Sequence, residues 1–161
     1  MVLTGPRQSG KTTLLRHEFG MEFRYVSLED PDLRAASLSD PRGFLAAHPP
    51  PCILDEVQNS AHLLSYIKSA IDDDRKPGRW ILTGSRHFPL MEGITQSLAG
   101  RAAVLQLHGL AAAEIPPQRR LETPRELLVG SFPEPRLAEA IDLRLWWEAI
   151  SRPTSSATCG S

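Results

Sequence analysis

A chain of 161 residues is the length of one domain and is long enough to bury a core. Hydrophobic residues make up 41% and charged residues 23%, close to a soluble globular domain and far from a disordered or fibrous protein. Its 18 Lys and Arg stand against 19 Asp and Glu, a net charge of −1, so the whole-chain balance makes no electrostatic case for nucleic acid or an anionic membrane.

In chain order, Val2 to Thr4 reads as a first strand and Lys11 to about Glu18 as a first helix. "FRYVSL", 23–28, is rich in aromatic and apolar residues and gives a second strand. "EDPDLRAASLSDPRGFLAAH" follows as turns and short helices punctuated by proline. "CILDEV", Cys52 to Val57, is a continuous apolar run ending in two carboxylates, the pattern of a buried parallel strand that delivers side chains to its carboxyl edge. Leu63, Leu64, Ile67, Ala70 and Ile71 then recur at helical spacing, with Ser60 or Asn59 available as a cap. "RWILTGS" and "AAVLQL" supply two more strands. Five short apolar runs alternating with helical patterns predict an α/β fold, a parallel sheet flanked by helices.

Proline marks three loops, at 48–51, 114–118 and 132–135. The strand–helix alternation fades beyond Ala111, which predicts a core over 1–110 and a helical extension over 111–150. The polar, aperiodic "SRPTSSATCGS" reads as a disordered tail over 151–161. No apolar run approaches the roughly 20 residues of a spanning helix and no signal sequence is apparent, so the expectation is a cytoplasmic protein with no membrane partner. Cys52 and Cys159 are too far apart for a metal-site spacing and are expected to be reduced thiols, Cys52 buried.

The strongest chemical signal is "GPRQSGKT", which matches GxxxxGK[ST] at Gly5, Gly10, Lys11 and Thr12. Glycines let backbone amides turn toward phosphate oxygens, the lysine meets the outer phosphates and the hydroxyl binds magnesium. The helix that follows directs its positive end at the anion. Pro6, Arg7, Gln8 and Ser9 complete the loop, and Thr13 follows it. In "ILDE" the first carboxylate, Asp55, is suited to hold magnesium through its water shell, and the second, Glu56, to orient and deprotonate an attacking water. A Glu after the magnesium Asp points to hydrolysis. The chain has one asparagine, Asn59, followed by Ser60, so the NKxD loop that reads guanine is missing and GTP is disfavoured. Small-molecule phosphotransferases need an arginine-bearing lid and have less use for the DE pair, so ATP with Mg2+ is the expected ligand pair.

Two further residues are candidates. Ser85 ends "WILTGS" beside the DE strand, where its hydroxyl would touch the outer phosphate or the attacking water, or would simply cap the next segment. Arg101, in "SLAGR" before the last strand, is either a surface arginine or a cation that enters the site of a second subunit in a homo-oligomer and neutralises charge on the transferred phosphoryl group.

"VLTGPRQSGKTTLL", "YVSLEDPDLRA", "ILDEVQ", "LTGS" and "SLAGR", in that order, resemble the AAA-type P-loop ATPases of bacteria and archaea that carry a C-terminal domain of uncharacterised function. The resemblance spans about residues 1–150. It implies a five-stranded core with strand order 5-1-4-3-2, ATP with magnesium, and ring or dimer assembly. It makes Gly5 to Thr12 the Walker A loop, Asp55 and Glu56 the Walker B pair, Ser85 the sensor and Arg101 a candidate finger. "GSFPEP", 130–135, resembles the segment that leads such proteins into their C-terminal domain.

Members of that family begin upstream of the loop strand and continue past "RLWWEAI", so a truncated protein is the expectation. Trp146 and Trp147 are expected to need a surface to pack on. The five histidines, 17, 48, 62, 87 and 108, lack ligand spacing. "DDDRKPG" reads as a solvated helix exit, Trp80 and Phe88 read as core, and "RHF" at 86–88 reads as a charged loop. The residues thus point to an ATP-hydrolysing module that moves a protein partner or an attached domain. A hydrolytically silent, nucleotide-dependent interaction module or a nonfunctional fragment is the alternative, and DNA remodelling rests on family analogy alone.

Overall fold

The computed structural model describes residues 1–85, 97–120, 123–138 and 141–151. The expected charged loop 86–88, with His87 and Phe88, and the expected tail 151–161, with Cys159, lie outside the described residues, except Ser151, which ends a helix rather than starting the tail. The chain divides into two compact units, Met1–Pro6 with Gly10–His108, and Arg7–Ser9 with Gly109–Ser161.

In the first unit, strands whose successive side chains alternate between faces build a sheet whose central strands are buried on both faces. β1 (Val2–Gly5), β2 (Arg24–Ser27), β3 (Cys52–Asp55), β4 (Trp80–Ser85) and β5 (Val104–Gln106) pair in the order β2-β3-β4-β1-β5. All four pairings are parallel. Read from the other side this is 5-1-4-3-2, the expected order. It is the five-stranded sheet of a P-loop NTPase core. Val2, Cys52, Leu54, Trp80 and Leu82 point to one face, where they pack with Phe44, Leu63, Leu64 and Ile67 from the helices α3 (Pro41–Ala47) and α4 (Leu63–Asp73). Leu3, Ile53 and Ile81 point to the other, where Leu15 of α1 (Lys11–Phe19) covers them. Cys52 is fully buried as expected, and that burial pushes its thiol up to about 11.

The proline-punctuated stretch folds into α2 (Pro31–Ser39) and α3 for a local reason. Asp30 and Asp40 each accept a backbone N–H from the first turn, and a proline whose φ is already helical follows each of them. Two expected boundaries are corrected. β3 stops at Asp55 because Glu56 takes left-handed angles, φ 53° and ψ 47°, and turns the chain into a 3-10 segment, Val57–Ser60. That segment moves the start of α4 to Leu63, so neither Ser60 nor Asn59 caps it: the cap residue is His62, without a side-chain bond. Ser60 is instead buried against Ser37, hydroxyl to hydroxyl at 2.9 Å.

The second unit holds α5 (Thr123–Val129), α6 (Pro133–Leu137) and α7 (Leu143–Ser151). Arg136 donates to Glu126 from two nitrogens, at 2.6 and 2.8 Å, and to the Gly130 carbonyl at 2.8 Å. Trp146 and Trp147 find their expected packing surface in Phe132 and each other, edge-to-face with centroids 5.0–5.6 Å apart. Both indole N–H groups are used: Trp146 donates to Glu134 and Trp147 to the Leu128 carbonyl, each at 2.9 Å.

Candidate functional site

The carboxyl edge of the sheet is where the sequence motifs converge. β1 ends at Gly5, the chain passes through a turn at Arg7 and Gln8 and a bend at Ser9, and α1 begins at Lys11. Gly10 carries φ 91°, a left-handed conformation that a side chain resists, and it swings the backbone into the helix. Gln8 is also left-handed, at φ 58°. The start of α1 has no side-chain cap and no acidic residue in its first turn. No acidic side chain of its own first turn therefore offsets the positive dipole end of α1, which favours an anion there.

Lys11 is buried, and its ammonium donates to the Pro6 carbonyl at 2.7 Å and the Gly5 carbonyl at 3.2 Å. The loop's own backbone thus compensates the desolvated charge and fixes the side chain across its mouth. Thr12 is half-buried, and Thr13, the next residue of the helix, is exposed.

Alternation explains what surrounds Asp55. It lies two residues beyond Ile53 on β3, and Thr83 lies two beyond Ile81 on β4, so both side chains emerge on the face that α1 covers. Asp55 is 3% exposed and receives four donors. Thr12 donates to Oδ2 at 2.9 Å, and the Tyr25 hydroxyl of β2 donates to the same oxygen. Thr83 donates to Oδ1, which also accepts the Glu56 N–H at 3.1 Å. Arg16 of α1 lies over the Tyr25 ring, 4.2 Å from its centroid. Burial first, then the bond to Asp55, pushes the Tyr25 hydroxyl up to about 12, so it remains a donor across the neutral range.

Glu56 sits at the strand end in its left-handed conformation, a strain of order 1 kcal/mol for a non-glycine residue. Its amide also reaches Thr83 Oγ1, at 3.2 Å, and its carboxylate accepts a bond from the Gln58 side-chain amide. Gly84 makes room for that contact: a Cβ there would stand 2.8 Å from Gln58 Oε1.

Lys11, Thr12, Asp55 and Glu56 are therefore gathered at one edge. Ser85 ends β4 in register with Gly5, so its backbone adjoins the start of the loop. Arg101 is not brought there. It precedes β5 and so lies toward the amino edge of the parallel sheet, opposite the edge from which the loop departs. Its guanidinium pairs with Asp72 at the end of α4, at 2.7 and 3.0 Å, and donates to the Ala99 carbonyl at 3.2 Å. Tyr25, Thr83 and Gln58 were missed as site residues from the sequence. The available signal was spacing: Thr83 stands two positions before Ser85, and Gln58 two after Glu56.

A buried strand that leads through a glycine-lysine loop into an uncapped helix, with Thr12 of that helix bonded to a buried aspartate on the next strand but one, is the arrangement of a P-loop NTPase. The AAA domain family matches residues 1–116, and the chain belongs to that family, which makes it a nucleotide-binding, ATPase-like module. It is similar to an uncharacterized protein of Mycobacterium tuberculosis, 32% identical over 117 residues, and to one of Mycobacterium bovis at the same identity and length. The match covers 71% of this chain and 26% of each relative. No helix among the described residues is long and apolar enough to cross a membrane.

Proposed function

We propose that the chain binds ATP with Mg2+ and hydrolyses it in the cytoplasm, and that the nucleotide cycle moves a protein partner or an attached domain. The observation that carries this reading is the 2.9 Å bond between Thr12, at the start of α1, and buried Asp55, at the end of β3. It joins the start of α1 to β3, whose last residue, Asp55, is followed directly by a second carboxylate, Glu56.

The donor set fits magnesium. Among the described residues no three His, Cys, Asp or Glu side chains stand together as a metal site. A hydroxyl and one carboxylate suit an octahedral ion that keeps several waters and takes phosphate oxygens for the rest. Thr12 and Asp55 would hold it, and when bound it neutralises charge on the outer phosphates. The backbone amides at the start of α1, with the Lys11 ammonium, cradle the β- and γ-phosphate oxygens. Lys11 gives up carbonyl oxygens for phosphate oxygens, a gain in charge complementarity without new desolvation. Glu56 orients the attacking water and takes its proton, Ser85 contacts the outer phosphate or that water, and Gln58 fixes which way the Glu56 carboxylate faces. Arg101 serves the site of a second copy rather than its own, since its strand brings it to the far edge of the sheet.

The test is binding of a fluorescent ATP analogue to the wild-type chain and to Lys11→Ala. Wild type is expected to bind with micromolar affinity and the variant at least about tenfold more weakly, the loss of one charge-assisted contact. Equal affinity of the two proteins would refute the assignment.

A further inference from the structure

Asp55 has more donors around it than a magnesium site can keep. An ionised carboxylate offers about four acceptor positions, and all four are taken: Thr12 and Tyr25 on Oδ2, Thr83 and the Glu56 amide on Oδ1. A magnesium ion held through its water shell must place at least one water proton on this carboxylate, so one of the four donors has to yield.

Three of them are poorly placed to do so. The Glu56 N–H is backbone, held by the turn that ends β3. Thr83 is fully buried within β4. The Thr12 hydroxyl can keep its proton on Asp55 while presenting a lone pair to the metal, because it is both a donor and an acceptor. Tyr25 differs from these. It is half-buried, it projects from β2 at the edge of the sheet, and its phenol swings on two side-chain torsions. The guanidinium of Arg16, 4.2 Å from the ring centroid, helps hold the ring, which also packs against the apolar cluster of Leu3, Leu15, Ile53 and Ile81.

We infer that Tyr25 is a positioning residue whose hydroxyl competes with a magnesium-bound water for Asp55 Oδ2, so that the metal requirement of the site is set by how firmly the phenol is held. Metal entry moves the hydroxyl off Oδ2, and departure of the metal lets it return. The bond it gives up is charge-assisted, so its removal should be felt as a change in the magnesium concentration needed and not merely as lost packing. This inference rests on the magnesium-nucleotide reading above.

The experiment titrates Mg2+ into the chain with a fluorescent ATP analogue at fixed concentration, comparing wild type, Tyr25→Phe and Arg16→Gln, each checked for folding by circular dichroism. Tyr25→Phe is expected to lower the Mg2+ midpoint about three- to tenfold, and Arg16→Gln to lower it by less. An unchanged or raised midpoint in both variants overturns the inference. In parallel, the fluorine resonance of 3-fluorotyrosine at position 25, identified by its loss in Tyr25→Phe, should shift when Mg2+ is added to the nucleotide-bound chain. A resonance that ignores Mg2+ overturns it too. Wild-type binding that depends on Mg2+, with variants that match it, removes this inference alone. Wild-type binding indifferent to both Mg2+ and Lys11 removes the nucleotide reading with it.

Discussion

At the carboxyl edge of the sheet Asp55 is 3% exposed and accepts from four donors on α1, β2, β4 and its own following residue. Toward the amino edge Asp72 is paired with Arg101 by two contacts of comparable length, and both side chains remain open to water. Asp55 has twice as many donors, but donor distance alone would not separate the two carboxylates. Solvent separates them: the first has lost its water and depends on every partner, whereas the second can exchange its partner for water at little cost. The protein has thus built its rigid polar cluster where a phosphate loop needs support, and left its candidate intersubunit arginine on a pair that is easily broken.

Breaking the buried side should give the largest effect. Asp55→Ala leaves the Thr12, Tyr25 and Thr83 hydroxyls and the Glu56 amide without their acceptor, and is expected to cost about 2–4 kcal/mol in urea unfolding. A loss below about 1 kcal/mol would show that the cluster is not the support described. Gly84→Ala is a milder probe of the same edge. Its Cβ would meet Gln58 Oε1 at 2.8 Å, so the Gln58 amide must shift, which disturbs its bond to Glu56. ATP turnover should fall several-fold while stability changes by no more than about 1 kcal/mol. Unchanged turnover would detach Gln58 from the positioning of Glu56.

The smallest effect is expected at the other edge. The Arg101 guanidinium, first through its hydrogen bond, holds the Asp72 carboxyl below its ordinary range. For a group whose folded value is depressed, the contribution is present above the ordinary aspartate value and is lost as pH falls through the lowered one. Asp72→Asn should therefore leave the melting temperature almost unchanged at neutral pH. What difference there is should vanish in acid and shrink with added salt. A large neutral-pH loss would make Arg101 a structural residue of its own chain and argue against a role in a second one.

How much of this was legible in the sequence follows from the range of the forces involved. Short apolar runs and the glycine-lysine loop are local signals, and they placed β1, α1, β3 and β4 nearly as they stand. The strand order came with the family resemblance, since residues within one strand do not encode its neighbours. The error at the start of α4 arose because the left-handed Glu56 and the 3-10 segment after it depend on bonds to Thr83 and Ser37, from distant parts of the chain. Tyr25 was hidden for the same reason. Its spacing marks only a face of β2, and the register Tyr25 to Ile53, which brings its hydroxyl to Asp55, is a property of the folded sheet. Among the site residues, Lys11, Thr12, Asp55 and Glu56 carried their chemistry in a motif, whereas Thr83 and Gln58 acquire theirs only from neighbours.

The account turns on whether the edge that gathers Lys11, Thr12 and Asp55 also performs chemistry through Glu56. The direct measurement is ATP binding and phosphate release by wild type and Glu56→Gln, side by side at saturating Mg2+. The account predicts that the variant binds ATP within about threefold of wild type and releases phosphate at least about a hundredfold more slowly, the contribution expected of a general base. Equal phosphate release by the two proteins would contradict it.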